Sequence, residues 1–449
     1  MQNVVGSESY GLFFTLFNLS IIFNFILDAG ISNYNNNSVA KNSNFLATQF
    51  SSLAGLKLML GIVYLILSLV SGYILNYSGI ELKLLLFLSL NQFLLSFILF
   101  LRSNISGLQI FWLDSILSIL DRTLLILICA VLLWSPWVKE SFRIEWLAYS
   151  QTAAYLTTLI VSYVIVVSKS KTQFRIPNKQ FIFDTLQKSL PFAFIILFMT
   201  LYFRVDAIMI EQLLPDGKYQ AGLYAQGYRF LDMINNFIFL FIGILFPLLS
   251  KQISLNEPIK KLVQFCIEIL AIPTLFVLGL GIFLSHEIIQ LSYNDVQSES
   301  GISLMILLCS YLPLIFGQVY GTVLTAGGKL KEMIVISGLS FFVNIAMNFV
   351  LIPQMGIVGA AITSLLSQFV MAIGCYVLAY KFYKLNIPSI KLISSIVGLV
   401  VVLISLRYFQ NFISSKDIFI VLVSVSIVIS LIFSAVRIKE FKELKSLKK

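Results

Sequence analysis

Lys57, Arg122, Arg204 and Arg229 are cations set inside long apolar runs. A charge at the centre of a bilayer costs at least about 2.5–3.5 kcal/mol unless it is paired or hydrated. Each of these side chains is therefore a candidate for binding an anion. Guanidinium stays charged at all working pH values and grips phosphate oxygens through two parallel N–H donors. A phosphate-bearing ligand is the chemistry the arginines fit. Every one of the four has a second reading as an interhelical salt bridge or an end-of-helix cation. Lys57 lies near one end of its run and could snorkel to the interface, and so could Arg229.

Polar stripes accompany the cations. Asp114, Ser118 and Asp121 recur at i, i+4 and i+7 beside Arg122. Thr200, Arg204 and Glu211 share a face, with Asp206 turned nearly opposite. Gln226, Arg229, Asp232 and Asn236 make a third stripe, and Ser337, Ser340, Asn344 and Asn348 a fourth. A polar stripe on a spanning helix faces protein or water, not lipid. Asn344 and Asn348 can hydrogen-bond sugar hydroxyls, or glue helices together. Asp28, Asp121, Asp206, Asp232 and Glu268 are the carboxylates placed to hold a proton or sodium ion for coupling, or to serve as structural partners. Cations with hydroxyl-binding amides suit a pyrophosphate-linked lipid carrying a glycan.

The elements that must position these residues are helices. Of the 449 residues, 58% are hydrophobic and 12% charged, about half the usual charged share of a soluble domain. Apolar runs of about 20 residues recur without the alternation of an outer-membrane barrel. Thirteen helices are predicted, near 11–31, 50–75, 82–101, 111–134, 146–168, 190–213, 222–249, 262–284, 302–325, 333–353, 357–380, 392–409 and 418–436. The fold class is an all-α polytopic membrane protein.

Cys129, Cys266, Cys309 and Cys375 fall inside apolar runs with no pairing or zinc spacing, and His286 is the sole histidine. No cofactor or metal is expected, and no catalytic residue is assigned. The net charge of +10 has no basic soluble face to bind nucleic acid. It orients the chain instead. Lys41, Arg102, the run from Lys169 to Lys188, Lys251, Lys260, Lys261, Lys329, Lys331, Lys381, Lys384, Lys391 and the tail from Arg437 mark one side as cytoplasmic. Only Lys83, Lys139, Arg143, Lys218, Arg407 and Lys416 lie on the other. The C-terminus is then cytoplasmic, and thirteen crossings put Met1 outside.

A short repeat bears on that count. Gly6-Ser-Glu-Ser-Tyr-Gly11-Leu12-Phe13 opens the first helix, and Gly217-Lys-Tyr-Gln-Ala-Gly222-Leu223-Tyr224 opens the seventh. A whole helix precedes the second copy and five residues precede the first. The expected plan is two related six-helix lobes, 1–172 and 173–385, with the first helix of the first lobe missing. A final helix pair and basic tail occupy 386–449. Repeated bundles with a central site are a common transporter plan.

Three stretches resemble polysaccharide and O-antigen flippases of the multidrug/oligosaccharidyl-lipid/polysaccharide exporter superfamily. They are Gly6 to Asp28-Ala-Gly30; Leu190-Pro191 through Arg204-Val-Asp206 to Gly222-Leu-Tyr-Ala225; and Thr325-Ala-Gly-Gly-Lys329 through Asn344 and Asn348-Phe-Val-Leu-Ile-Pro353 to Gly356-Ile-Val-Gly-Ala-Ala361. The resemblance implies flipping of undecaprenyl-diphosphate-linked oligosaccharide across the inner membrane by alternating access. It implies an H+ or Na+ gradient as driver, contact with membrane lipids, and association with polymerase and chain-length machinery. A cation-coupled multidrug exporter, a flippase for the peptidoglycan precursor and a membrane glycan polymerase are the competing readings. Short outer connections disfavour the polymerase, and the buried cations disfavour cationic drugs.

Overall fold

The computed structural model describes residues 1–28, 31, 32, 35, 39, 44–135, 142–169 and 179–386. The helices expected at 392–409 and 418–436 lie outside them. Every regular element among the described residues is helical. Eight helices there are long and apolar enough to cross a bilayer, so the chain is a polytopic all-α membrane protein. The backbone dictates that choice. In hydrocarbon each N–H and C=O must be satisfied within the segment, and a helix does this for almost every residue.

The chain opens with α1 (Gln2–Val5), α2 (Ser7–Ile22) and α3 (Asn24–Asp28). Four long helices follow: α4 (Asn44–Ile74), α5 (Ile80–Gly107), α6 (Phe111–Trp134) and α7 (Ile144–Lys169). Next come α8 (Lys179–Leu213), α9 (Gly217–Ser254) and α10 (Lys260–Ser292). The described part ends with α11 (Ser298–Cys309), α12 (Tyr311–Ala326) and α13 (Leu330–Tyr383). α13 is two limbs rather than one rod. Gly356, at φ 58°, breaks it three residues after Pro353. Glycine tolerates that left-handed φ and proline removes a helical hydrogen bond, so the pair separates the helices expected at 333–353 and 357–380.

The chain forms two compact units, Met1–Gly222 and the part from Leu223 onward. In the first, α2 packs on α5 and α8, and α5 packs on α4 and α7. The helix expected at 190–213, read from sequence as the start of the second lobe, thus lies in the first compact unit. An apolar core holds Leu53, Leu56, Phe100, Leu101, Leu117 and Val166. In the second unit α12 and α11 pack on α13, and α10 packs on α11 and α12. Outer faces are apolar: Ile62, Ile66 and Val70 on α4, and Ile116, Ile119 and Ile126 on α6, are all more than half exposed except Val70 at 48%. Exposed apolar stripes of that kind suit lipid and would aggregate in water.

The repeated glycine motif acquires a structural meaning. A methyl carbon on Gly11 would sit 1.8 Å from the Lys218 carbonyl oxygen and 2.6 Å from the Gly222 nitrogen. One on Gly222 would sit 2.0 Å from the Ser7 carbonyl oxygen. The two copies cross each other reciprocally, backbone against backbone, at their second glycines. Gln2 fastens the crossing by donating to the Gly222 carbonyl at 3.0 Å and to Ser7 Oγ at 3.2 Å.

Candidate functional site

The first unit buries an ion pair. Lys57 enters from α4 and Asp28 from the end of α3, with Nζ 2.7 Å from Oδ1. The lysine side chain is 2% exposed and the aspartate 38%. Lys57 therefore does not snorkel. Its ammonium also donates to the Ser96 carbonyl at 3.0 Å and Ser96 Oγ at 2.9 Å, which uses all three of its donors. Ser96 Oγ in turn donates to the Leu27 carbonyl at 3.2 Å. The Phe100 ring lies 5.8 Å from the ammonium. Ser32 donates to Asp28 through its backbone N–H at 3.3 Å and its hydroxyl at 2.5 Å. The arrangement is a fully satisfied cation behind a carboxylate that remains accessible.

Neutral polar groups extend this site. Asn24 donates to Gln92 at 2.9 Å. Thr152 donates to Asn91 Oδ1 at 2.7 Å, and Asn91 donates to the Ala148 carbonyl at 3.0 Å. Tyr64 donates to the Ser20 carbonyl at 2.7 Å. These bonds join α2, α3, α4, α5 and α7. Arg204, on α8, is half-buried and donates to Asn18 Oδ1 at 3.3 Å, while Asn18 donates to the Phe14 carbonyl at 2.7 Å. Asp206 is 1% exposed.

Arg122 stands apart from this set. It is exposed on α6, whereas its neighbour Asp121 is buried at 9%. Asp114, from the same stripe, is taken up by Arg102 at 2.7 Å. Ser115 and Ser118 return their hydroxyls to carbonyls of their own helix, Phe111 and Ser115. The stripe read around Arg122 is thus divided between several partners.

The second unit has its own polar seam. Asn344 and Asn348 are fully buried, and Asn348 donates to Asn344 at 3.2 Å. Ser337 and Ser340 are buried on the same limb of α13 and bond to the Met333 and Ile336 carbonyls. Thr363, Ser364, Ser367 and Gln368 are buried on the other limb, and Gln318 and Thr322 on α12. Arg229 and Asp232 are half-buried on α9, and Glu268 is 5% exposed on α10. Gln226 donates to the Asp295 carbonyl at 2.7 Å.

A polar cavity of about 610 Å³ lies at the α4–α5 and α8–α9 turns, lined by Glu8, Tyr77, Glu81, Glu211, Asp216 and Lys218 among others. Tyr77 donates to Glu211 at 2.6 Å, and Lys218 pairs with Glu81. Burial, reinforced by the Glu211 charge, raises the Tyr77 phenol above its ordinary pKa. Among the described residues no group of three or more His, Cys, Asp or Glu could hold a metal ion.

The family described as polysaccharide biosynthesis protein matches residues 1–252, which takes in the ion pair, Arg204 and the glycine crossing. The chain belongs to the polysaccharide biosynthesis protein family. A curated relative, the capsular polysaccharide biosynthesis protein CapF of Staphylococcus aureus, is 28% identical over 198 residues. That match covers 44% of this chain and 48% of the relative, so the chain spans about half the length of the curated protein it matches. Among solved structures, the lipid II flippase MurJ in an inward closed conformation is similar at a TM-score of 0.66. It is 18% identical over 97% of this chain and 94% of its own. An inward-facing multidrug resistance MATE transporter of the MOP superfamily follows at 0.61, 13% identical, over 84% and 91%. A MOP superfamily transporter from Pyrococcus furiosus, whose binding pocket is described as reversed in polarity, gives 0.59 at 14% identity over 84% and 88%. At these identities the likeness shows the fold. This member of the polysaccharide biosynthesis family thus has the helical fold of MOP transporters.

Sequence reasoning picked out Lys57, Asp28 and Arg204 but missed Asn18, Asn91, Gln92, Ser96 and Thr152. An amide repeated in the Asn91-Gln92 dipeptide, in the middle of an apolar run, was the available signal.

Proposed function

We propose that the protein flips undecaprenyl-diphosphate-linked oligosaccharide units across the cytoplasmic membrane, by alternating access, for surface polysaccharide synthesis. The observation that carries this reading is the buried Lys57–Asp28 pair inside a family-matched helical bundle. A lysine held 2% exposed by a carboxylate 38% exposed is a cation whose counter-ion can exchange. An incoming diphosphate can take the place of the carboxylate, or a proton or sodium ion can neutralise it. On this reading Lys57 and Arg204 serve the diphosphate, while Arg229 and the exposed Arg122 are candidates for separate anion contacts. Asn344 and Asn348 serve the glycan, with Asp28 the first choice for ion coupling. Asp121, Asp206, Asp232 and Glu268 are the remaining coupling candidates. The name of the Staphylococcus aureus relative supports a capsular glycan as cargo. The multidrug reading is weaker, because cations next to the site repel cationic drugs.

The test is a gene deletion complemented with variants. Lipid-linked repeat units should accumulate on the cytoplasmic face of the deletion strain, and Arg204→Ala should restore export only in part at normal protein level. Normal surface glycan in a deletion strain with no redundant flippase would overturn the proposal. Essentiality of the gene for peptidoglycan, in place of a surface-glycan defect, would move the substrate to the peptidoglycan precursor.

A further inference from the structure

The two limbs of α13 enclose an apolar groove of about 540 Å³, lined by Val335, Ile336, Gly374, Val377 and Leu378. Gly374 lets the two limbs approach closely, since a methyl carbon there would meet Ile336 at 2.8 Å. Val335 is 69% exposed and Val377 52%, so the groove opens on the lipid-facing side. Lys331 and Glu332 stand at its end. Other cations gather there. Lys329 Nζ lies 4.4 Å from the Phe382 ring and Lys381 Nζ 5.7 Å from the same ring. Lys384 stacks over Tyr380 at 5.7 Å. The Tyr383 hydroxyl lies where a Gly327 methyl carbon would be, at 1.6 Å, which pins the end of α13 to the turn before it. Lys331 and Glu332 thus stand in a hydrocarbon-lined groove, with Lys329 and Lys381 on the Phe382 ring at the same end of the two limbs.

We propose that this is a site for an anionic phospholipid of the bilayer leaflet at that end. Its phosphate sits among Lys329, Lys331 and Lys381, and one acyl chain lies against Val335, Ile336, Val377 and Leu378. Basic pockets between spanning helices bind anionic head groups, each ammonium adding attraction within a Debye length. Lysines reach such a phosphate as point charges on flexible stems. Among the described residues no arginine lines the groove, which sets it apart from a bidentate diphosphate site. The groove has room for a single acyl chain, and a polyprenyl chain is much longer. Glu332 disfavours a second anionic group.

The experiment is native mass spectrometry of the purified full chain with phosphatidylglycerol, phosphatidylcholine and chainless glycerol phosphate. The wild type should retain phosphatidylglycerol over phosphatidylcholine, and glycerol phosphate weakly or not at all. Replacing Lys329, Lys331 and Lys381 together by Gln should weaken phosphatidylglycerol on the order of a hundredfold. Val377→Trp, which fills the groove and leaves the lysines, should weaken it about tenfold. All the changed side chains except Lys329 are exposed, so thermal stability in phosphatidylcholine checks folding. Equal retention of the two phospholipids overturns the proposal. So does a Val377→Trp protein that binds like wild type, the result expected if only surface charge acts. Preferential binding to neither lipid is also the result expected if the helices predicted at 392–409 and 418–436 fill the groove.

Discussion

Removing Asp28 should do more damage than removing Lys57, although the two share one ion pair. In Asp28→Asn the Lys57 ammonium stays 2% exposed and keeps only Ser96 as partner. Breaking a buried pair from one side costs about 3–5 kcal/mol, because the survivor is an uncompensated charge. The two Ser96 bonds remain and Asp28 was partly hydrated, so the lower end, about 3 kcal/mol, is the expected loss. Lys57→Met fills similar volume without charge. It strands only a carboxylate that is 38% exposed and still bonded to Ser32, and about 1 kcal/mol is expected, in the range of a weakly desolvated pair. The double variant places neutral groups on both sides and should fall close to Lys57→Met, leaving a coupling of about 2–3 kcal/mol. Reversible denaturation of the four proteins in one lipid or detergent system reads these differences. Equal losses in the two single variants that add in the double variant would refute the reasoning, since they would mean the charges do not meet.

The other expectations can be checked on the same preparation. Gly11→Leu should block the α2–α9 crossing, since even a methyl carbon would lie 1.8 Å from the Lys218 carbonyl; a purified variant with wild-type stability would contradict that crossing. Asn91→Leu removes the acceptor of Thr152 and the donor to Ala148, and should cost about 1–3 kcal/mol in denaturation. Tyr77→Phe should cost about 1 kcal/mol through the lost bond to Glu211. Because the Tyr77 pKa is raised in the folded protein, its contribution is complete below the ordinary phenol value and declines as pH climbs above it. The alkaline limb of the stability profile should therefore be shallower in Tyr77→Phe than in wild type.

Local pattern and long-range packing account for what sequence could and could not reveal. Apolar runs and the Pro353–Gly356 break are properties of contiguous residues; among the described residues the long apolar runs are helical, and the break falls where the sequence puts it. The repeated glycine motif was visible as spacing, while its reciprocal contact depends on two helices far apart in the chain. Lys57 was open to snorkelling because its partner lies in another helix, across a connection that periodicity does not bridge. Its depth is decided by Asp28 and Ser96. Arg122 illustrates the opposite case. A stripe at i, i+4 and i+7 assigns a shared face, but packing against neighbours such as α7 buries only part of it. Leu117 and Asp121 are buried, while Arg122, one residue on, is exposed. The Asn91 network links α5 to α7 through a backbone carbonyl, Ala148, and carbonyl partners leave no trace in residue type.

Transport in a defined membrane tests the central claim most directly. Proteoliposomes containing the protein and a diphosphate-linked polyprenyl oligosaccharide should show protein-dependent movement of the glycan between leaflets, read by a reagent confined to one side. The account predicts movement that Arg204→Ala slows and that Lys57→Met slows further at equal protein incorporation. Movement no faster than in empty liposomes would contradict it, as would equal rates in wild type and in both variants.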